Sequence, residues 1–305
     1  MKIEPDTYRV KPQKKIKLSK VKTTSGFKTP DKNDLAELLA NDTQKISELQ
    51  YKLYAENRQA LLIVLQGIDG SGKDGTIRHI MSGVNPQGVL VHSFKHPSDE
   101  ELDHDFLWRH AVKLPVRGQI MIFNRSHYEN ILISRVHPEL VLAERIPGID
   151  SVSKIGKDFW RSRYQQIKHF EKNISQNGTQ IVKFYLHLSK EEQSKRFIER
   201  IEKKEKNWKF SSGDITEREF WNEYERAYEQ ALENTSTRIA PWYIIPADDK
   251  WYTHLLIGKI ILKKLQEMNP SFPPVGKKEE KFMTLAKERL QKESRSGKSL
   301  TGTVR

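Results

Sequence analysis

The feature that most constrains the fold is the segment Gly67-Ile68-Asp69-Gly70-Ser71-Gly72-Lys73, which directly follows the apolar run 61–65. A glycine, four residues, a second glycine and a lysine, placed between a strand and a helix, form the pattern of a phosphate-binding loop. Backbone N–H groups of such a loop hold phosphate oxygens, and the start of the next helix adds positive potential. The alternative is a glycine-rich turn without a ligand, but the surrounding strand and helix pattern favours the phosphate loop.

The loop departs from the usual pattern at two positions. Asp74 follows the lysine, where Ser or Thr usually supplies a hydroxyl group to Mg²⁺. Asp69 places a carboxylate inside the loop, so we predict that Asp69 binds the metal, which is Mg²⁺ or Mn²⁺. The residues predicted to bind phosphate here are Gly67, Gly70, Ser71, Gly72, Lys73 and Asp74.

Apolar segments alternate along the chain with segments of helical periodicity. We predict strands over 60–66, 89–93, 118–123, 180–188 and 242–246. The longer helices are predicted over 31–57, 100–114, 124–136, 157–176 and 251–268, with further helices beginning after Ser189 and at Thr216. This alternation predicts a three-layer αβα sandwich with a parallel five-stranded sheet. Ligands of such sheets bind at the carboxyl ends of the strands, where residues 195–230 would form a helical lid.

Composition excludes several classes of protein. There is no cysteine, which excludes disulfides and thiolate chemistry. The ten histidines show no spacing typical of a metal site. No apolar run approaches the ~20 residues needed to cross a bilayer, and the first residues lack an apolar signal core. We expect a cytoplasmic protein without a membrane partner.

The net charge of +13 is concentrated at the two ends of the chain. Residues 1–30 carry nine Lys and Arg residues and two acidic residues, which gives a net charge of +7. Residues 271–305 carry nine Lys and Arg residues and four acidic residues, which gives +5. The near-neutral body argues against a nucleic-acid partner. We predict a basic arm (1–30), a kinase-like domain (31–268) and a basic tail (269–305). The ends are either solvated tails or segments that guide a polyanion, and we expect removal of 1–28 to leave the fold intact.

A second polar segment, Asn124-Arg125-Ser126-His127-Tyr128-Glu129, follows the third strand. Phosphate-loop proteins commonly have Asp at this strand end, where it holds Mg²⁺. Asn124 carries no charge, which makes Asp69 the better metal ligand. Arg125 is predicted to clamp a phosphate with two hydrogen bonds. Glu129 either faces the cleft or is an exposed acid of the predicted helix.

The lid segment contributes cations. Arg196 and Arg200 are four residues apart and share a helix face, where two like charges repel mildly unless an anion joins them. We predict that both arginines contact phosphate and stabilise its transition-state charge, and that Lys209 binds in the same site. The alternative is a solvated helix face, because glutamates are interleaved with these cations.

Taken together, the motifs resemble the polyphosphate kinase type 2 family. The resemblance runs from about residue 31 to 268 and also includes Arg196-Phe197, Trp208-Lys209-Phe210-Ser211, Ala240-Pro241-Trp242-Tyr243 and Pro246-Ala247-Asp248-Asp249-Lys250. It implies a fold similar to thymidylate kinases and transfer of phosphoryl groups between inorganic polyphosphate and nucleotides. Many members carry Asp at the position of Asn124 and Asn at that of Glu129. The version found here looks like the subgroup that accepts both AMP and ADP.

From the residues and the resemblance together, we predict a kinase that transfers phosphoryl groups reversibly from polyphosphate to AMP, to ADP or to both. Polyphosphate, AMP, ADP and ATP would be its ligands, and we expect a homo-oligomer. The competing enzyme hypothesis is an ATP-dependent kinase of a nucleotide or another small molecule. A nucleotide-binding regulator, or a nucleic-acid-binding protein that uses the basic ends, belongs to a different class.

Overall fold

A computed structural model of the chain describes residues 3–26 and 31–296. The strands are β1 (Ala60–Gln66), β2 (Val89–Ser93), β3 (Ile120–Asn124), β4 (Thr179–His187) and β5 (Trp242–Pro246). The α-helices are α1 (Lys32–Glu56), α2 (Lys73–Ile80), α3 (Asp99–Leu102), α4 (Trp108–Ala111), α5 (Ile133–Val136), α6 (Lys157–Gln176), α7 (Lys190–Glu202), α8 (Ser212–Glu217), α9 (Trp221–Thr235), α10 (Lys250–Met268) and α11 (Lys277–Ser296). Short 3₁₀ segments include His127–Ile131, Lys204–Lys209 and Arg218–Phe220.

The five strands form one parallel sheet in the order β2-β3-β1-β4-β5. Alternate residues of β1 face opposite sides: Leu61 and Ile63 pack in one core with α1 and α10, whereas Leu62 and Val64 pack in a second core with α6 and α9. Helices therefore cover both faces, and the predicted αβα sandwich is confirmed. This layering buries every residue of β1, which carries the phosphate loop at its carboxyl end.

Side-chain caps define the starts of the helices that frame the carboxyl edge of the sheet. Ser189 accepts a hydrogen bond from the backbone N–H of Glu192 at the start of α7, as the sequence predicts. Asp249 caps α10 by accepting from the N–H groups of Trp251 and Tyr252. Each cap satisfies a backbone donor that the helix itself leaves unpaired.

Three predicted helices are wrong. The helix expected over 100–114 is two single turns, α3 and α4, because the Asp105 carboxylate accepts from the N–H of Leu107 and competes with helical bonding. The helix expected over 124–136 is interrupted by a left-handed residue, Arg125, and by a 3₁₀ segment. Thr216 lies inside α8 and begins no helix.

The described part of the basic arm, residues 3–26, packs against the sheet. Val10 and Leu18 are buried in the core that contains α6 and α9. The backbone N–H of Val10 donates to the carbonyl of Trp242 at 2.8 Å, and that of Leu18 donates to the Glu229 carboxylate at 2.7 Å. The structure thus contradicts the expectation that removing the arm leaves the fold intact, since removal would expose apolar core surface.

The chain divides into two compact units, Met1–Pro270 and Ser271–Arg305. The second unit contains α11, which the sequence analysis did not predict within the basic tail. Phe282 and Leu290 on α11 are exposed. Across residues 3–26 and 31–296, no helix is both long enough and apolar enough to cross a membrane.

The arm's anchor gives a stability prediction. Leu18→Ala should lower the free energy of unfolding by about 2–5 kcal/mol, because it leaves a cavity at a fully buried site. Ser19→Ala, at the adjacent exposed position, should change it by less than about 0.5 kcal/mol. Chemical denaturation of both variants measures the difference. Equal stability of the two variants would mean that the arm is not docked.

Candidate active site

The phosphate loop turns sharply between β1 and α2, and its glycines are required by space and by backbone geometry. A Cβ on Gly67 would lie 2.7 Å from the Ser71 hydroxyl oxygen and 3.1 Å from the Leu186 carbonyl oxygen. Gly72, which precedes α2, has φ +97°, a left-handed conformation that side chains disfavour. The Lys73 ammonium donates to the carbonyls of Gly67 at 2.7 Å and Ile68 at 3.3 Å. The loop residues expected to bind phosphate are therefore brought together.

Arg125 lies between two carboxylates at the carboxyl edge of the sheet. Its guanidinium donates to Asp69 at 2.6 Å and forms a salt bridge with Glu129 at 3.6 Å. Burial favours the neutral form of the Asp69 carboxyl, but the positive charges of Lys73 and Arg125 outweigh burial and lower its pKa. Burial dominates at Glu129 and raises the pKa of its carboxyl. The second polar segment thus contributes an arginine and a glutamate to the phosphate loop.

The backbone at Arg125 explains why Glu129 faces the cleft. Arg125 has φ +62°, a conformation that costs a non-glycine residue of order 1–3 kcal/mol. Its N–H donates to the Leu65 carbonyl at 3.0 Å, which fixes the turn against β1. The Ser126 hydroxyl accepts from Gln66 Nε2 and from the N–H of Tyr128. The turn and the 3₁₀ segment together bring the side chains of Arg125 and Glu129 to the same cleft.

A buried ion pair underlies this turn. Lys183, in the middle of β4, donates to the Glu171 carboxylate at 2.7 Å and to the Tyr128 hydroxyl at 2.7 Å. Tyr128 in turn donates to Glu171 at 2.8 Å, while His127 lies 3.4 Å from the same carboxylate. All four side chains are almost completely buried. Burial lowers the pKa of Lys183 to about 8, although Glu171 opposes that shift. The pair fixes His127 and Tyr128, two of the three residues between Arg125 and Glu129.

Asn124 and Lys209 both contact Asp74, the residue after the loop lysine. The amide nitrogen of Asn124 donates to Asp74 at 2.8 Å, and the Lys209 ammonium lies 3.7 Å from the other carboxylate oxygen. The amide oxygen of Asn124 is buried and has no hydrogen-bond partner within the described ranges. This oxygen and the Asp69 carboxylate are hard ligands of the kind Mg²⁺ prefers. No group of three or more His, Cys, Asp or Glu side chains suited to a metal occurs within residues 3–26 and 31–296.

Arg196 contacts protein carbonyls on several segments. Its guanidinium donates to the carbonyls of Gly70 (3.0 Å), Ser71 (3.1 Å), Ala247 (2.6 Å) and Asp248 (3.1 Å). It also donates to Glu192, and only 6% of the residue is exposed. All three nitrogens are thus engaged by protein oxygens. These contacts do not support the predicted phosphate-binding role of Arg196, and they tie the loop after β5 to the phosphate loop.

The segment predicted as the lid covers a cavity of about 130 Å³ at the phosphate loop. Asp214 and Arg218 from this segment line the cavity together with Asp69, Arg125 and Glu129. Unlike Arg196, which donates to the phosphate loop, Arg200 donates to the Asp214 carboxylate at 3.1 Å. Burial raises the pKa of Asp214, and Asp69 adds to that shift.

A second cavity of about 260 Å³ opens beyond the carboxyl ends of β2 and β3. Its wall combines aromatic and charged side chains: Phe94, His104, Phe106 and Arg109. Arg125 and Glu129 line both cavities and therefore form the boundary between them. This aromatic cavity combines ring surfaces with charged groups, as a site for a planar ligand that carries charge requires.

Several residues of the site were missed from the sequence. Lys183 interrupts the apolar run 181–186, and Glu171 lies four residues after Ile167 and three before Ile174 on the buried face of α6. A charge at each of these positions was a usable signal for a buried pair. Asp214 and Arg218 carried no comparable signal, because only the folded lid segment brings them to the cavity.

Comparison with known proteins agrees with this geometry. The family model described as "Polyphosphate kinase 2 (PPK2)" matches residues 29–273. The chain belongs to this family. It is 45% identical over 292 residues to an ADP-polyphosphate phosphotransferase of Rhodopseudomonas palustris, with 96% of this chain and all of that protein covered. An AMP/ADP-polyphosphate phosphotransferase of Meiothermus ruber is 40% identical over 278 residues, with 90% of this chain and 98% of that protein covered.

A solved structure supports the same fold. The crystal structure of polyphosphate kinase 2 from Arthrobacter aurescens TC1 superposes with a TM-score of 0.84 at 36% identity, covering 94% of this chain and 97% of that one. The family resemblance stated from the motifs is therefore confirmed, as is its kinase-like fold.

The buried pair yields a stability prediction for this polyphosphate kinase 2 family member. Glu171→Gln should lower the free energy of unfolding by about 3–5 kcal/mol, because it leaves the Lys183 charge buried without a counter-charge. The double variant Glu171→Leu/Lys183→Met should recover part of that loss, since it removes both charges. Denaturant unfolding of the two variants measures this.

A second ion pair offers a control. Asp150→Asn breaks the Lys154–Asp150 pair, in which both side chains are exposed, and should cost about 1 kcal/mol or less. If Glu171→Gln costs no more than Asp150→Asn, the Glu171–Lys183 pair does not stabilise the turn.

Proposed function

We propose that this protein transfers phosphoryl groups between inorganic polyphosphate and adenine nucleotides, accepting AMP, ADP or both. The observation that carries the proposal is Arg125, which lines both the cavity at the phosphate loop and the aromatic cavity. A phosphoryl group passing between a donor in one cavity and an acceptor in the other would cross the position of its guanidinium. The names of the two relatives, which specify ADP and AMP/ADP, support the choice of acceptor.

Charge is what these residues supply to the reaction. Phosphoryl transfer leaves little covalent work for the protein, and catalysis rests on positioning and on stabilising charge on the phosphate oxygens. The loop N–H groups would hold those oxygens, and Lys73 would exchange its carbonyl partners for them. Arg125 would donate two parallel hydrogen bonds to the transferred group. Asp69 and Glu129 hold that guanidinium in place before substrate binds.

We propose a divalent metal at oxygen ligands of the loop. Asp69 would hold it, with the unpartnered amide oxygen of Asn124 as a second ligand. Mg²⁺ or Mn²⁺ bound there would neutralise phosphate charge. Because Asn124 carries no charge, Asp69 supplies the only charge of this ligand pair. Asp74 would then act through its hydrogen bond with Asn124, which orients the amide.

The aromatic cavity is the proposed nucleotide site. The base would pack against the wall that contains Phe94 and Phe106, whose rings already contact the guanidinium groups of Arg109 at 5.3 Å and Arg163 at 3.9 Å. Arg109 offers a cation to the phosphates. Arg200 and Lys209 remain proposed phosphate contacts from the lid segment. Arg196 is proposed to position the loop through its bonds to Gly70 and Ser71, without contacting substrate.

We also propose a homo-oligomer. Leu90 and Val91 are about half exposed on the edge strand β2, and Val112 and Val116 are exposed as well. Apolar side chains on an edge strand favour association with another chain. Light scattering of the purified protein would give its mass in solution, and a monomer at working concentration would contradict this proposal.

The decisive activity test omits ATP. Incubation with polyphosphate, Mg²⁺ and AMP should form ADP, and incubation with ADP should form ATP, each with a matching loss of polyphosphate. Chromatography of the nucleotides measures both reactions. An ATP-dependent kinase would form no product until ATP is added. If the folded protein consumes no polyphosphate with any nucleotide, the proposed function is disproved.

Substitutions in the loop test the assigned charges. Lys73→Ala and Asp69→Asn should each lower kcat by at least ~100-fold, because positioned charges at the transferred group contribute several kcal/mol. Asp69→Asn should also weaken Mg²⁺ binding measured by calorimetry, whereas Lys73→Ala should not. Glu202→Gln, an exposed acid on α7, is the control. Normal Mg²⁺ affinity in Asp69→Asn would show that the metal lies elsewhere.

Glu129 is expected to influence the choice of acceptor. Its carboxylate lies at the boundary of the two cavities and repels the second phosphate of ADP more than it affects AMP. Glu129→Gln should therefore raise kcat/KM for ADP relative to AMP by about tenfold, which corresponds to ~1.4 kcal/mol. Glu139→Gln, at an exposed position nearby in sequence, should leave the ratio unchanged. An unchanged ratio in Glu129→Gln would mean that this carboxylate does not discriminate.

A further inference from the structure

The basic arm contacts the edge strand β5 near its start, passes α9, and reaches the carboxyl edge of the sheet where ligands bind. Near its start, Arg9 pairs with Tyr243 in an antiparallel bridge beside β5. Near the end of its described part, the Thr23 carbonyl accepts from the N–H of Asp248, which lies just past the carboxyl end of β5. Its hydroxyl also donates to the Asp248 carboxylate at 2.7 Å. The arm therefore contacts β5 near its amino end and the chain just past its carboxyl end, while Leu18 between them contacts Glu229 of α9.

The arm separates its apolar side chains from its cations. Val10 and Leu18 are buried and hold the segment in place. Six lysines between them and beyond them are exposed: Lys11, Lys14, Lys15, Lys17, Lys20 and Lys22. Within the described residues, none of the six forms a salt bridge. The backbone positions of these lysines are consequently held along the surface, and burial raises the pKa of the nearby Glu225 carboxyl, although the charge of Lys17 acts against that shift.

The end of the arm near Thr23 is linked to the phosphate loop through Asp248 and the side chain of Arg196. Asp248, which binds Thr23, also offers its carbonyl to Arg196. Arg196 in turn donates to the carbonyls of Gly70 and Ser71. Residues 18–24 and Gly26 of the arm line a surface groove together with Ser189 and Lys190 at the start of α7. Lys20 and Lys22 thus lie beside the base of the lid segment.

The strand order places the arm and the aromatic cavity on opposite sides of the loop. β1, which carries the phosphate loop, is the central strand, with β4 and β5 on one side and β3 and β2 on the other. The arm reaches the carboxyl edge beside the ends of β4 and β5, whereas the aromatic cavity lies at the ends of β2 and β3. Displacement at phosphorus requires donor and acceptor to lie roughly in line on opposite sides of the transferred group. A donor opposite the nucleotide would approach from the side of the arm.

We propose that the six arm lysines form a binding track for the distal part of a long polyphosphate chain, whose reacting end lies in the phosphate loop. This inference rests on the proposed function. A regular polyanion gains affinity from a row of cations by releasing its counterions, and a docked arm loses little conformational freedom when the chain binds. Short donors end before the track and gain nothing from it.

The test compares two variants of equal charge change. In the arm variant, Lys11, Lys14, Lys15, Lys17, Lys20 and Lys22 are replaced by Gln, with both apolar anchors retained. In the control variant, six exposed cations of α11 are replaced by Gln: Lys277, Lys278, Lys281, Lys287, Arg289 and Lys292. Both variants lose the same net charge, so a difference in their affinity for polyphosphate depends on where the removed charges lie. Thermal unfolding confirms that each variant is folded.

The arm variant should raise KM for long polyphosphate at least about tenfold more than KM for tripolyphosphate, and the control variant should not. Its affinity for long chains should also depend less steeply on salt, by about one unit of log–log slope for each lysine that binds. At about 1 M salt, where the screening length is ~3 Å, the two variants should behave alike.

Direct binding of long polyphosphate, measured without nucleotide, separates this inference from the proposed function. If wild type binds long chains through the arm but transfers no phosphate to any nucleotide, the track stands and the proposed function fails. If wild type is active and the arm variant binds long chains as tightly as the control variant does, the track is disproved and the proposed function stands. Equal weakening of both variants likewise disproves the track, because only net charge would then matter.

Discussion

The arrangement of the active site depends on one buried guanidinium. Arg196 extends from α7 and donates to carbonyls of the phosphate loop and of the loop after β5. It thereby joins the carboxyl ends of β1 and β5 to the helix that leads into the lid segment. Without it, several carbonyls would lose their partners in a site with little access to water, at a cost of about 1–3 kcal/mol each. The arm depends on the same junction, because Asp248 binds both Arg196 and Thr23.

A second constraint acts on the other side of the phosphate loop. Arg125 adopts a left-handed backbone conformation that its residue type disfavours, and buried contacts hold it there. Tyr128, three residues later, is fixed by Glu171 and Lys183. An ion pair inside the protein adds little stability compared with apolar residues, but it restricts where its partners can lie. Here that restriction places Arg125 and Glu129 at the boundary between two cavities.

In the proposed reaction, the carboxyl edge of the sheet has a nucleotide side and a polyphosphate side. Toward β2 and β3, aromatic side chains surround a cavity of suitable size for a base. Toward β5, a docked arm exposes lysines that suit a polymer of repeated negative charge. The parallel sheet makes the division possible, because all five strands end at one edge and the phosphate loop follows the central strand.

The sequence by itself determined the parallel fold, the phosphate loop and the family, since each depends on local pattern: an apolar strand, glycines and a lysine at fixed spacing. It also identified Arg125 as a residue of the site. The tertiary structure alone decided the positive φ at Arg125, the occupied donors of Arg196 and the docking of Leu18. Each of these depends on contacts between residues far apart in the chain, such as Arg196 with Gly70 and Leu18 with Glu229, and no local pattern encodes such contacts.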